Sequence, residues 1–360
     1  IILRYFWWRT FNTIDTENII NFTLSFLLYV AEVYSMIIAI LGIFFSVKPI
    51  DRRPIEVEES QLPTVDIFIP TYNEPPEIPA ITAMAALNMD YPQDKFNVYI
   101  LDDGGTTQKL NDPDPEKQKF FRERAEELKD IINRLKALGY KNIHYLTRER
   151  NLHAKSGNIN EALKKTNGDL ILILDADHIP SKDFLIETVG FFVKYPKTFL
   201  VQTPHMFYNP DPIEKNTGIF GKTPGENEMF YFLIQKGFDL WNASFFCGSA
   251  ALLRRKYLEE VGGIQAHSIT EDAETALELH SRGYESIYYS KPMIYGLNPE
   301  TLSGMIVQRV RWAQGMIQIF MLKNPLKLKG LKWYQKLAYL NANIFWFFGL
   351  ARVVFLLAPL

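Results

Sequence analysis

Asp175 and Asp177 stand one residue apart at the end of the apolar run "LILILDADH". Paired carboxylates of this kind repel each other. A hard divalent cation such as Mg2+ or Mn2+, bridging to phosphate oxygens, relieves that repulsion. A second acidic pair, Asp102 and Asp103, ends "LDDGG", where the glycines let a ligand approach the backbone. This is not a G-x-G-x-x-G fingerprint, so a dinucleotide enzyme gains no support. Lys155, beside Ser156 and Gly157 in "NLHAKSGNIN", stands before a helical stretch, where amide groups and a lysine can cradle a diphosphate. Glu271 and Asp272 open another helix, where the helix dipole favours their charged forms. Gln308, Arg309, Arg311 and Trp312 fall together in the amphipathic stretch "GMIVQRVRWAQGMIQIFML". Each feature alone also has a plain structural reading: a turn, a capped helix with a solvated lysine, or an interfacial helix.

The elements that must position these residues alternate in type. "VDIFIPTY" (65–72), "FNVYILDDGG", "KNIHYLT" and "DLILILDAD" read as strands. "EIPAITAMAALNM", the charged stretch 116–138 and "NINEALKK" read as helices between them. This alternation predicts an α/β fold with a mostly parallel, Rossmann-like sheet covered on both faces. Such sheets bind ligands beyond the carboxyl ends of their strands, where Tyr72, Asp102, Asp103, Asp175 and Asp177 then fall. With residues 170–174 as a strand, Asp175 and Asp177 are expected on the same side, facing one cation.

The chain has 360 residues, 47% of them apolar, and a formal charge of -2. Near-neutral charge argues against nucleic acid as a partner. One cysteine, Cys247, excludes an internal disulfide, and the six histidines show no zinc-type spacing. Residues 19–47 carry Glu32 as their only charge and exceed the ~20 residues a membrane span needs. Glu32 there calls for a polar partner. A second apolar run starts at Leu337 and meets the chain end, so the sequence is expected to be a piece of a longer protein. Basic residues bracket the middle of the chain (Lys48, Arg52 and Arg53; Lys323 to Lys336), so residues 48–336 are expected in the cytoplasm. The expected organisation is a membrane segment (1–57), a cytoplasmic catalytic domain (58–299), amphipathic interface helices (300–336) and the start of a further span (337–360).

Taken in order, "TYNE", "LDDGG", "HAKSGN", "DADH", "TED" and "QRVRW" resemble the motifs of the processive glycosyltransferases of family two. "VQTPHMFYNPDPI", "GENEMFY" and "FFCGSAALLRR" narrow the resemblance to the bacterial cellulose synthase catalytic subunits. The resemblance implies a GT-A type nucleotide-sugar-binding domain with flanking transmembrane and interfacial helices. It implies polymerisation of glucose from UDP-glucose into a β-1,4-glucan at the inner membrane, by a multi-pass protein with its catalytic domain cytoplasmic. Tyr72, Glu74 and Asp103 would hold the uridine. Asp175 and Asp177 would bind the diphosphate through Mg2+ (or Mn2+), with His178 close by and Lys155 offsetting phosphate charge. Asp272 would be the general base. Gln308, Arg311 and Trp312 would line the acceptor end of the growing glucan, with Phe246, Cys247 and Gly248 in the acceptor wall. The lipid bilayer, a periplasmic partner subunit and cyclic-di-GMP control through a PilZ domain, whose sequence does not occur here, are further implied partners. A synthase of another chain (1,3-β-glucan, hyaluronan or chitin type) and an inactive nucleotide-binding membrane subunit stay open as alternatives.

Overall fold

The computed structural model describes residues 1–358. The chain enters through helix α1 (Ile2–Asn12) and the long apolar α2 (Ile19–Ser46). The α/β unit then alternates: β1 (Val65–Thr71), α3 (Glu77–Leu87), β2 (Phe96–Asp102), the short α4 (Thr107–Leu110), α5 (Pro115–Ala137) and β3 (Ile143–Leu146). Next come α6 (Ala154–Leu163), β4 (Leu170–Ile173), β5 (Ile179–Pro180), α7 (Phe184–Lys194), β6 (Thr198–Gln202) and β7 (His205–Phe207). Short helices α8 (Pro212–Thr217), α9 (Glu226–Met229) and α10 (Lys236–Asp239) follow, with a π-helical turn over Phe230–Gln235. The unit closes with β8 (Ala251–Arg254), α11 (Arg255–Glu260), α12 (Glu271–Ser281), β9 (Glu285–Tyr288) and β10 (Ile294–Gly296). Helices α13 (Leu302–Leu322), α14 (Trp333–Ile344) and α15 (Phe348–Leu357) end the described chain.

The main sheet runs in the order β3-β2-β1-β4-β8-β6-β9. Its strands are parallel except β8, which pairs antiparallel with both β4 and β6. The sequence reading therefore holds for β1 to β4 and omits the strand wedged in beside β4. Both sheet faces are covered. Val65, Ile67 and Ile69 alternate into one core with Val98, Ile100 and Leu172. Phe68, Leu101, Ile171 and Ile173 enter the other. A smaller sheet, β5-β10-β7, sits directly after the D-x-D turn and so fixes where that turn goes.

Helix α2 and the run 333–357 are long and apolar enough to cross a membrane. The second starts four residues before the expected Leu337, and residues 359 and 360 of the expected span lie outside the described ones. The polar partner demanded by Glu32 is Arg9 on α1, a helix the sequence reading did not foresee: Nε donates to Oε2 at 2.8 Å. Between α14 and α15 the helix tightens over Phe345–Phe347. There the Tyr34 hydroxyl donates to the carbonyls of Ile344 and Phe345, at 2.8 and 3.0 Å. At the other end of α2, buried Phe45 packs edge-on against Phe238, while Phe44 stacks on Trp241. Gly237 makes this approach feasible, because a Cβ there would lie 2.4 Å from the Phe45 carbonyl oxygen.

Candidate active site

The D-x-D carboxylates do not ride on a strand. β4 ends at Ile173, and Asp175 to His178 form a turn closed by the His178 amide donating to the Asp175 carbonyl at 3.0 Å. The expected same-side placement by strand alternation is thus corrected: a turn, not a pleat, presents the two carboxylates. Below the turn lies a buried polar network. The Asp175 amide donates to Ser249 Oγ at 2.9 Å, and His178 Nδ1 lies 2.7 Å from the same oxygen. Gln202, wholly buried, accepts the Cys247 amide on Oε1 at 2.9 Å and donates from Nε2 to the carbonyls of Thr203 and Ser249, at 2.9 and 2.8 Å. These bonds hold residues 247–250 in a tight path that includes positive φ at Gly248 and Ala250. Gln202 and Ser249 were not foreseen, because nothing in their sequence spacing links them to the turn.

Lys155 is the hub of the site. His153 and Ala154 both take left-handed φ, so α6 starts abruptly and projects Lys155 from its first turn. The lysine pairs with Asp175 and donates to the Gly248 carbonyl at 2.7 Å. Asp272 closes the group. A Cβ added to Gly248 would lie 3.1 Å from Asp272 Oδ2 and 3.8 Å from Lys155 Nζ. Lys155, Asp175, Gly248 and Asp272 thus converge, although they span about a third of the sequence. Burial works against the Lys155 charge, but Asp175, Glu271 and Asp272 outweigh it and raise its pKa. Burial likewise pushes the Asp175 carboxyl up, yet Lys155 and His178 overcome it and hold the group at about 2. Asp177 is driven upward by burial and by Asp175. Asp272 moves opposite to the helix-dipole expectation: burial first, then Glu271, pushes it up to about 7. Lost hydration outweighs the one-turn dipole.

Beside the first two strand ends, where uridine is expected, Asp103 is buried and held by both arms of Arg148, with two contacts of 2.7 Å. Burial still raises its pKa against that guanidinium. Asp102 pairs with Arg124 at 2.8 Å and accepts from the Tyr145 hydroxyl at 2.7 Å. Arg124 also donates to the Glu74 carbonyl and to Thr71, which ties "TYNE" to "LDDGG". The Glu74 carboxylate accepts from the Thr71 hydroxyl and the Tyr72 amide, at 2.7 and 2.6 Å. The exposed Tyr72 ring carries the Lys109 ammonium 3.4 Å from its centroid. Arg124, Arg148 and Lys109 were absent from the sequence reading, since ordinary arginines and lysines give no local signal.

Where the acceptor end is expected, Gly315 of α13 packs onto Thr270 at the start of α12, and a Cβ there would meet Thr270 side-chain atoms at 2.5 Å. Gln318 Oε1 accepts the Ile269 amide at 2.9 Å. Gln308, Arg311 and Gly315 share a helical face at i, i+3 and i+7, so this docking turns Gln308 and Arg311 toward α12. Burial raises the Glu271 pKa, and Lys155 and, more weakly, Arg311 act against that rise. Trp312 packs at a centroid distance of 6.4 Å from Trp346 and carries the Arg309 guanidinium, which also pairs with Glu226 at 3.2 Å. Two expected contact residues are buried. Phe246, expected in the acceptor wall, lies in the core. His178, expected close to the diphosphate, is buried as well and reaches the D-x-D turn through Ser249. Cys247 is half-buried, accepts from Gln235 at 3.1 Å, and burial pushes its thiol well up, so it stays protonated.

A model of glycosyl transferase family group 2 matches residues 170–360, more than half of the chain. The chain belongs to glycosyl transferase family group 2. It is 44% identical over 360 residues to the cellulose synthase catalytic subunit [UDP-forming] of Pseudomonas fluorescens, covering 99% of this chain and 45% of that relative. It is 43% identical to the cellulose synthase 1 catalytic subunit [UDP-forming] of Komagataeibacter xylinus, covering 100% of this chain and 45% of that one. The chain therefore spans a little under half the length of these curated relatives. Among solved structures, a mannosyltransferase of Pyrobaculum calidifontis in complex with GDP-Man and Mn2+ superimposes with a TM-score of 0.62 at 19% identity, over 92% of this chain and 87% of that one. That likeness carries the fold, which is of the GT-A type.

Among the described residues no three His, Cys, Asp or Glu side chains gather into a metal cluster. Asp175 and Asp177 supply hard oxygen donors, and no cationic side chain pairs with Asp177 among the described residues. Such a donor set fits an Mg2+ or Mn2+ ion that takes its remaining ligands from phosphate and water.

Proposed function

We propose that this chain is the catalytic portion of a processive, inverting β-glucosyltransferase that extends a β-1,4-glucan from UDP-glucose. Residues 58–299 would form the cytoplasmic catalytic unit and 300–336 its interface helices. α2 and the run from Trp333 would anchor it in the bacterial inner membrane. The observation that carries the reading is the convergence of Lys155, Asp175 and Asp272 beside a docked "QRVRW" helix. The similarity to UDP-forming cellulose synthases supports UDP-glucose as donor and cellulose as product.

The reaction asks for one displacement. The acceptor hydroxyl oxygen forms a bond to the anomeric carbon as the bond from that carbon to the UDP oxygen breaks, inverting the centre. The hydroxyl proton passes to Asp272, whose pKa near 7 suits a general base. Departing UDP takes the bonding electron pair, and Lys155 and Arg311 offset the charge that develops. Asp175 and Asp177 would hold Mg2+ (Mn2+ serves the same donor set), a Lewis acid for the diphosphate. Asp103 and Glu74 would shape the uridine end, with Tyr72 against the base once Lys109 shifts from the ring. Trp312 would offer a flat apolar face to the terminal sugar. A periplasmic partner subunit would receive the chain, and cyclic-di-GMP control would lie in a PilZ domain beyond this sequence.

Asp272→Asn should lower glucose transfer from radiolabelled UDP-glucose by about 10²–10⁴-fold while UDP binding persists. Unchanged transfer would remove Asp272 from the mechanism. Product resistant to cellulase, or transfer from UDP-N-acetylglucosamine instead, would replace the proposed polymer with another chain.

A further inference from the structure

On the outer edge of the main sheet, away from the carboxylates, a cleft of about 410 Å³ runs beside β3. Its walls include Lys129 and Lys136 of α5, Lys165 just after α6, and the rings of Tyr99, His144 and Tyr145. Lys129 and Lys136 are seven residues apart and so share one helical face. The ion pairs nearby are Lys119–Glu123 and Lys164–Glu161. Among the described residues the three cleft lysines join no ion pair. Tyr99 and His144 stack with centroids 4.8 Å apart and an interplanar angle of 22°. Burial, then Lys136, lowers the His144 pKa, so the ring is neutral and does not add to the charge repelling the lysines.

Lysines often guard exposed sheet edges against stray strand pairing. Guard lysines sit on the edge strand itself. These three come from α5 and the segment after α6 and meet on one concave surface with aromatic walls. That combination is the chemistry of nucleotide capture, with cations for phosphate and flat rings for a base. The volume lies within the ~300–1,000 Å³ range of small-molecule sites.

We propose that this cleft is a second ligand site that takes a nucleoside phosphate, its phosphate among Lys129, Lys136 and Lys165 and its base against the Tyr99–His144 pair. Lys129 lies 5.1 Å from the Tyr145 ring centroid, and the Tyr145 hydroxyl donates to Asp102, the partner of Arg124.

Photolabelling of the full chain in detergent with 8-azido-AMP, under excess UDP to fill the proposed donor site, tests this. The expected result is saturable labelling of the peptides carrying Tyr99 or His144, reduced at least tenfold in a Lys129→Gln, Lys136→Gln, Lys165→Gln triple variant. His144→Ala alone should also weaken labelling, and both variants should keep the wild-type melting temperature and UDP affinity. Absence of saturable label, label removed by UDP, or equal label in the triple variant would overturn the site. Competition by inorganic pyrophosphate as strong as by AMP would overturn its nucleoside part.

Discussion

Asp272 feels burial and Glu271 pushing its proton affinity up, while Lys155 and the Ala273 amide pull it down; the result lies near 7. A base must be ionised to accept a proton, so the charged fraction rises as pH climbs through that value. Initial rates at saturating UDP-glucose should therefore fall about tenfold per pH unit well below 7 and level off above it. A profile flat across that region would show that Asp272 does not set the rate. Asp103 gives a second prediction. It is buried with Arg148 as its ion-pair partner, so Arg148→Ala leaves a carboxylate in a dry site. The cost should be about 3–5 kcal/mol of stability, read as a lower unfolding midpoint, together with weaker UDP binding. Both effects follow from pairings 45 residues apart in sequence.

Helix α13 shows how an element acts as one part. Its polar residues would be scattered along any straight helix, but Gly315 lets it lie directly on the α12 start. A larger side chain there cannot be accommodated by a flexible partner alone, because the Thr270 backbone nitrogen would also lie 2.6 Å from the new Cβ. Gly315→Leu should push α13 off, costing about 1–3 kcal/mol and displacing Gln308 and Arg311 together. Transfer to acceptor should drop sharply while UDP binding, which the proposed function assigns to β1, β2 and α5, stays near wild type. If both fall in parallel, α13 is only a scaffold. The D-x-D turn makes the same point on a smaller element. β4 delivers it, and Ser249 and the small β5-β10-β7 sheet fix its direction.

Across the molecule, α2 is fastened at its middle and at its C-terminal end. Phe44, Phe45, Trp241 and Phe238 lock the C-terminal end to the α/β unit, and Arg9–Glu32 ties the middle to α1. α2 is 28 residues, about 42 Å, against a hydrocarbon core of about 30 Å. An ion pair within such a span is costly to break. Glu32→Gln should lower the thermal midpoint in lipid nanodiscs, and adding Arg9→Gln should restore much of the loss. No recovery in the double variant would mean that Glu32 serves another partner.

Much of this arrangement was legible from residue order. Apolar runs of strand length, the helix caps and the acidic strand ends are local patterns, and local sterics and periodicity decide them. They placed β1 to β4, α2, α5 and α12, and they named the carboxylates, Lys155 and the "QRVRW" group. Tertiary structure alone decided that β8 runs antiparallel beside β4, that Phe246 and His178 are buried, and that Arg124, Arg148, Gln202 and Ser249 brace the site. It also reversed the expected direction at Asp272. Desolvation and Coulomb interactions depend on distances through space and on the surrounding medium, and no spacing along the chain encodes either.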